Sequence, residues 1–176
     1  MKLKIKRGTL LALLEFQAKN DVRYYLNGIA FMAGGKVAAT DGHRLALGEH
    51  DNKVKETVIV KLHKLPTKNF DHVIIDTKAG TVELYSVHDL KIGITMCELV
   101  EGRYPDVERV LPKNFEACDE VGFNVEYLNS IAKAAKYISP KFCGIKLKLQ
   151  GATGSAMAEV SYAGESMKFV VMPMRL

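Results

Sequence analysis

The stretch Val37-Ala38-Ala39-Thr40-Asp41-Gly42-His43-Arg44-Leu45-Ala46 is an apolar run that breaks into a compact polar turn and then resumes as apolar residues. Gly42 can adopt a positive φ, and the carboxylate of Asp41 can accept hydrogen bonds from nearby backbone amides. The pattern therefore predicts two strands joined by a tight turn that displays His43 and Arg44. A turn of this kind is most often a plain hairpin, so a functional interpretation depends on the rest of the chain.

Composition excludes several classes of protein. Of the 176 residues, 48% are hydrophobic and 26% charged, which is typical of a globular protein with one domain or one and a half small ones. No apolar run is long enough to span a bilayer, and the alternating segment Met1–Arg7 lacks the apolar centre of an export signal. We therefore expect a cytoplasmic protein that does not contact a membrane.

The cysteine and histidine patterns predict neither a metal site nor a cofactor. Cys97, Cys118 and Cys143 are widely spaced and form no Cys-x-x-Cys pair, so we expect buried or half-buried free thiols. The five histidines show no His-x-x-x-His spacing. The net charge of +5 leaves nucleic acid or another acidic partner open.

The first part of the chain, residues 1–55 (unit 1), combines strand and helix patterns. Charged and apolar residues alternate over Lys2–Lys6, which predicts a strand, and the leucines of Thr9–Lys19 recur at helical spacing. The apolar stripe of this helix is wide, so we expect it to pack on a sheet and to expose only Ala12, Glu15 and Lys19. Three further strands are predicted at Ile29–Met32, Val37–Thr40 and Arg44–Gly48.

Residues 56–112 (unit 2) repeat the strands but not the helix. Thr57–Val60 predicts a strand, whereas Pro66 limits the segment Lys61–Phe70 to at most one or two helical turns. Three strands should follow, at His72–Asp76, Thr81–Ser86 and Leu90–Cys97.

Residues 113–176 (unit 3) restore the helix. Glu120–Phe123 predicts a strand, and Asn124 can cap a helix that ends near Tyr137. The apolar stripe of this helix is Leu128, Ile131, Ala135 and Ile138, and its opposite face carries Asn129, Lys133 and Lys136. The remaining predicted strands are Gly144–Leu149, Ala156–Tyr162 and Met167–Met172.

The chain thus carries an internal repeat of one strand, one helix and three strands, present three times with the middle helix degraded. Such a unit cannot cover both its helix and its sheet alone, so it must pair with a similar unit. Three units leave one face unpaired. The odd number therefore predicts self-association.

Four segments resemble signatures of one protein family, in the same order along the chain. They are Asp21–Gly28, Ala39–Ala46, Glu101–Asp106 with Arg109–Asn114, and Val170–Leu176. All four resemble the bacterial sliding clamps, the DNA polymerase III β subunits. Units 1 and 2, residues 1–112, are similar to the two halves of the middle clamp domain, and unit 3 is similar to the second half of the last domain.

This resemblance implies an α+β fold of the DNA-clamp type, with helices lining an inner face and antiparallel sheets outside. In the family such units close into a ring of twelve around duplex DNA. Four copies of a three-unit chain would supply twelve units, so a homotetrameric ring is the preferred hypothesis. Relative to the family, the first domain and the first half of the last domain are missing, which puts the usual ring of two three-domain subunits in question.

The resemblance also implies a cleft that binds a short apolar linear motif of DNA polymerases and clamp loaders. Soft Met and aliphatic walls suit Leu and Phe side chains, while His43, Arg44 and Arg175 would fix the peptide backbone. An alternative reading makes Val170 and Met172 plain core residues. The expected cleft residues are Tyr25, Leu26, Thr40, Gly42, His43, Arg44, Leu45, Pro105, Arg109, Val110, Asn124, Tyr127, Val170, Val171, Met172, Pro173, Met174 and Arg175.

A clamp needs a positively charged lining that contacts phosphates without reading bases, so that sliding on double-stranded DNA remains sequence-independent. The candidates are Lys133 and Lys136, followed by Arg7, Lys19, Arg23 and Tyr24, although lysines of this kind often only solvate a helix face.

Three functions follow from the sequence. The first is a non-enzymatic processivity factor for DNA replication. The second is a clamp mimic that competes for clamp partners and inhibits or regulates replication. The third is an enzyme with Asp41 and His43 as an acid-base pair, which is disfavoured because no third catalytic group accompanies them.

Overall fold

The computed structural model describes residues 1–141 and 144–175, so Cys143 and Leu176 lie outside the described residues. Within these described residues, eleven strands, paired antiparallel throughout, form one sheet in the order β1-β6-β7-β8-β5-β2-β3-β4-β11-β10-β9. The elements are β1 (Lys2–Lys6), α1 (Arg7–Phe16), β2 (Ile29–Met32), β3 (Lys36–Thr40), β4 (Arg44–Glu49), β5 (Val58–Leu62), β6 (His72–Asp76), β7 (Thr81–Tyr85), β8 (Lys91–Val100), α2 (Val125–Ile138), β9 (Lys146–Lys148), β10 (Ala156–Tyr162) and β11 (Glu165–Val171). Short 3-10 turns lie at Tyr24–Asn27 and Val107–Val110.

Units 1 and 2 exchange their first strands. β1 of unit 1 pairs with β6 of unit 2, and β5 of unit 2 pairs with β2 of unit 1. The long strand β8 belongs to both parts of the sheet, because its first half pairs with β7 and its second half with β5. The two units are therefore joined mainly through backbone hydrogen bonds.

Units 1 and 3 meet differently. β4 pairs with β11, from Arg44 opposite Val171 to Leu47 opposite Lys168. α1 packs against α2 on one face of this sheet, above β3, β4, β10 and β11. Units 1 and 3 therefore lie side by side within a single chain, and the main core lies between the sheet and the two helices.

Three sequence predictions are corrected by this arrangement, and a fourth is made more specific. Ala12 is buried, because α1 is covered by α2 as well as by the sheet. Leu128 is exposed, because it lies off the buried stripe of α2. Glu120–Phe123 forms no strand, since the structure places no neighbouring strand beside it, and Lys61–Phe70 contains no helical turn.

A second, smaller apolar cluster lies on the opposite face of the sheet, which we call the outer face. It includes Leu26, Leu45, Val107 and Val170. Among the described residues, neither helix has the length and apolar character needed to cross a membrane.

Candidate peptide-binding cleft

The turn after β3 is held by its own side chains. Asp41 Oδ1 accepts hydrogen bonds from the backbone amides of His43 and Arg44, both at 3.0 Å. Thr40 Oγ1 accepts from the amide of Gly42 and donates to the carbonyl oxygen of Arg44. Gly42 has a φ of 90°, which a side chain would strain, so this glycine is required for the turn.

The turn contacts the last strand of unit 3. The amide of Met172 donates to the carbonyl oxygen of His43 at 2.9 Å, which extends the β4–β11 pairing by one residue. Beside this contact lies a depression of about 40 Å³ on the outer face. Its lining residues are Thr40, Gly42, His43, Arg44, Leu45, Val110, Val170 and Met172, all of which the sequence predicted for the cleft.

Other predicted cleft residues surround this depression. Leu26 is buried beneath it with Leu45 and Val170, and Tyr25 packs at the edge of the same cluster. Tyr127 of α2 stacks on the ring of His43 at 6.1 Å between centroids. Asn124 caps α2 by accepting a hydrogen bond from the amide of Glu126.

The two segments that flank the depression carry the remaining predicted residues. Arg109 of the second 3-10 turn is exposed and pairs with Asp106 at 3.0 Å, and Pro105 is exposed just before that turn. After Met172, the amide of Met174 donates to the carbonyl oxygen of Gly122. Pro173 is half-buried, and Met174 and Arg175 are exposed.

Val171 is corrected to a core residue. Side chains alternate across a strand, so Phe169 and Val171 of β11 face the helices, whereas Val170 and Met172 face outward. Val171 is fully buried and cannot contact a ligand in the depression.

Arg44 lines the depression, as predicted, but its guanidinium is directed toward the helices. Its guanidinium lies 5.4 Å from the ring centre of Phe16 in α1 and 5.3 Å from that of Tyr127 in α2. It also pairs with Asp41 Oδ2 at 2.7 Å and donates to Ser130 Oγ of α2. The side chain is therefore a bridge between units 1 and 3, with little capacity left for a peptide backbone.

The acid-base interpretation of the turn is also weakened by geometry. Both carboxylate oxygens of Asp41 are used, one by the backbone amides of the turn and the other by Arg44. The ring of His43 stacks on Tyr127 instead. Within residues 1–141 and 144–175, no three His, Cys, Asp or Glu side chains come together as metal ligands.

The predicted DNA-contacting residues fall into two groups. Lys133 and Lys136 are exposed on α2, Lys19 is exposed after α1, and Tyr24 is exposed in the 3-10 turn. Arg7 and Arg23 have partners: Arg7 Nε donates to the carbonyl oxygen of Lys68 at 2.5 Å, and Arg23 pairs with Asp21 at 2.7 Å. The hydrogen bonds that the side chain and backbone of Arg23 donate to the carboxylate of Asp21 lower the pKa of Asp21 to about 2.

A larger cavity of about 520 Å³ lies between β1, the end of β4 and the β10–β11 turn. Its residues are mainly polar, so the smaller outer depression suits an apolar ligand better. Sequence reasoning missed Glu165 at this cavity. Its Oε2 accepts from both the amide and the hydroxyl of Thr9, at 3.1 and 2.8 Å, and so caps the start of α1.

Comparisons with known proteins agree on one family. Residues 10–106 match the model for the central domain of the DNA polymerase III beta subunit. The beta sliding clamp of Salmonella typhimurium is 34% identical over an alignment of 151 positions, gaps included, and this alignment spans 74% of this chain and 37% of the relative. The beta sliding clamp of Proteus mirabilis is 29% identical over an alignment of 202 positions, gaps included, and this alignment spans 93% of this chain and 51% of the relative.

Solved structures show the same fold. The crystal structure of the DNA polymerase III subunit beta from Pseudomonas aeruginosa has a TM-score of 0.67 at 22% identity, covering all of this chain and 67% of that one. Caulobacter crescentus pol III beta has a TM-score of 0.65 at 17% identity, with coverage of 99% and 66%. The predicted α+β clamp fold is confirmed, and the chain belongs to the DNA polymerase III beta subunit family, in a form that matches about 37–51% of the length of these curated relatives.

Proposed function

We propose that this chain is a shortened, non-enzymatic sliding clamp that surrounds duplex DNA as a ring of several copies and holds a replication polymerase through the outer depression. Four copies are preferred, because they supply twelve units. The observation that supports the proposal most is the contact between Met172 and His43, which joins the two walls of the depression within one chain. Polymerase and clamp loader would bind through short apolar motifs.

The depression suits such a motif chemically. Leu45, Val170 and Met172 supply apolar walls, and Val110 and Met172 are partly exposed there. A methionine wall adapts to Leu or Phe side chains, and apolar anchors buried in a small pocket dominate peptide affinity. His43 is the polar group best placed at the rim, since Arg44 is engaged with the helices.

A matched pair of methionines tests the peptide site. Met172→Asp should weaken binding of a fluorescent pentapeptide containing Leu and Phe by about tenfold or more, because a charge would face the apolar ligand. Met96→Asp is the control, since Met96 is similarly exposed, 52% against 43%, but lies on β8. Equal affinity of both variants for the peptide would disprove the peptide site.

DNA retention tests the ring. Lys133→Glu with Lys136→Glu on α2 should lower retention on closed circular DNA and reduce its salt dependence, because two phosphate contacts are lost. Lys78→Glu with Lys113→Glu makes the same charge change at exposed positions outside α2. If both double variants lost the same retention on DNA, the effect would depend only on net charge, and the proposed contact between α2 and DNA would be contradicted.

The second candidate, a clamp mimic, is favoured by one feature: both walls of the depression come from a single chain, so a single copy suffices to bind a partner peptide. Synthesis on primed circular DNA separates the two functions. Stimulation supports the clamp, and inhibition alone supports the mimic.

A further inference from the structure

Each repeat unit has two sides through which it joins a neighbour. The first-strand side is used between units 1 and 2, where β1 and β5 cross over to pair with β6 and β2. The last-strand side is used between units 1 and 3, where β4 pairs with β11. Unit 1 uses both sides, whereas the described residues of unit 3 pair only through its last-strand side. The first-strand side of unit 3 is the edge of β9, which ends the sheet.

Equivalent positions differ sharply in exposure. Ile29 and Phe31 of β2 are both 0% exposed, because β5 and the core cover the corresponding side of unit 1. On β9, Leu147 lies opposite Ala158 and so shares its helix-facing side, yet it is 38% exposed, and the preceding Ile145 is 44% exposed. The apolar pattern of a covered strand is therefore present in unit 3 without its cover.

α2 extends this apolar surface. Tyr137 faces α1, since its hydroxyl reaches Glu15 at 3.3 Å. Leu128 lies nine residues earlier, about 180° around the helix, and therefore faces away from α1 toward the β9 side. It is 38% exposed. We call Leu128, Ile145 and Leu147 the open strip.

The charges beside the open strip identify what fits there. β9 carries Lys146 and Lys148, of which Lys148 also pairs with Glu159 of β10 at 2.9 Å, whereas the segment before α2 carries Glu116, Asp119 and Glu120 and contains no basic residue between them. This acidic segment lies at the end of β9 in the same chain, where Glu116 forms a single bridge with Gln150. Each copy therefore presents a basic edge and an acidic segment side by side.

We propose that the open strip binds the open strip of a second copy about a two-fold axis, so that the acidic segment of each copy faces Lys146 and Lys148 of the other. This contact repeats between chains what units 1 and 2 do within one chain, because both partners use the first-strand side. It rests on the proposed ring and specifies its closure: copies related by two-fold contacts alternate in orientation, so a closed ring contains an even number of them. A head-to-tail ring is excluded by this contact.

Particle mass tests the contact without DNA or polymerase. The full chain should be a dimer or a larger even assembly by light scattering, and Leu147→Asp should halve its mass, because a charge would be buried at the axis. Ile94→Asp is the control, an exposed apolar residue on β8. A monomeric parent chain, or an unchanged mass for Leu147→Asp, overturns the proposal.

Charge reversal tests the orientation. The double variant Glu116→Lys with Glu120→Lys makes the segment before α2 basic, like β9. The double variant Lys146→Glu with Lys148→Glu makes β9 acidic, like the segment before α2. Each variant alone should lose the two-fold contact, and an equimolar mixture should restore it as a heterodimer, because opposite charges then meet at both positions. Full self-association of each variant, or no association in the mixture, contradicts the proposed pairing.

Peptide affinity separates this proposal from the peptide-binding function. The outer depression lies between β4 and β11 of one chain, so Leu147→Asp should bind the pentapeptide as the parent chain does. Peptide binding with unchanged particle mass would overturn the two-fold contact only. Dissociation of Leu147→Asp without peptide binding by the parent chain would overturn the peptide site only.

Discussion

The junction of units 1 and 2 and the junction of units 1 and 3 are held by different kinds of interaction. Units 1 and 2 are joined by exchanged strands, so many backbone hydrogen bonds share the contact. Units 1 and 3 share a four-residue ladder, and side chains carry much of the rest: Arg44 reaches α2, and Glu165 of β11 caps α1. We therefore expect the junction of units 1 and 2 to tolerate the loss of any one side chain, whereas the junction of units 1 and 3 depends on a few side chains. The candidate cleft lies at the second.

The largest effect is expected for Arg44→Met. The change keeps an apolar stem but leaves Asp41 Oδ2 and Ser130 without this partner, so the free energy of unfolding should fall by about 2–4 kcal/mol. Peptide binding should fall with it, because the two walls separate. Urea denaturation followed by circular dichroism measures the change. Arg109→Met is the control, since Arg109 is 85% exposed, and an equal shift in both would contradict the bridging role.

Removal of the cap on α1 should have the next largest effect. Glu165→Ala leaves the amide and hydroxyl of Thr9 without their acceptor and removes a negative charge from a helix N-terminus, which costs about 1–2 kcal/mol. Glu165→Gln keeps an acceptor and should recover part of the loss. Thermal unfolding gives the ranking, and hydrogen exchange at Thr9 locates the effect. Equal stability of the parent and Glu165→Ala would exclude the cap.

A single side chain also stabilises β1, the strand of unit 1 that pairs with unit 2, but with less effect. Asn52 covers the free edge of β1, since its amide group donates to the carbonyl oxygen of Lys4 at 2.8 Å and its oxygen accepts from the amide of Lys4 at 2.7 Å. Asn52→Ala should cost about 1 kcal/mol, because water can replace a partner at an exposed edge. If Asn52→Ala lowered the free energy of unfolding more than Glu165→Ala does, the expected order of the two junctions would be reversed.

The smallest expected effect is a pH dependence near the same edge. Burial lowers the pKa of His50 below its ordinary value of 6.5, and the ring packs against Phe31. The unfolded chain therefore binds a proton that the folded chain excludes, so stability falls as pH decreases through 6.5. His50→Gln should flatten this slope between pH 7.5 and about 5.5, above the titration of ordinary carboxylates. His88→Gln, at an exposed position, should not change it.

Sequence reasoning located most of the strands because their signal is local. The limits of β1, β2 and β10 match their predicted ranges, since alternation and the flanking turn residues define them. Ala12 and Leu128 were assigned to the wrong environments for the opposite reason. Their exposure depends on which other element covers the helix, and the periodicity of one helix contains no such information.

The candidate cleft shows the same division. The turn at Thr40–His43 and the alternation of Val170 and Met172 follow from local sequence, and resemblance to the family suggested that they form one site. The β4–β11 pairing within a single chain was not predictable, because the two strands are separated by more than a hundred residues. The direction of Arg44 followed only from that pairing, which brings α2 within reach of its guanidinium.

The sequence by itself determined the strand and helix periods, the turn at Gly42 and the family, because these depend on residues close together or on direct similarity. The tertiary structure decided which units touch, that Val171 and Arg44 face the helices, that Glu165 caps α1 and that no further strand of the described residues pairs with β9 beyond β10. Each of these depends on register between distant strands, where a shift of one residue exchanges the two faces of the sheet.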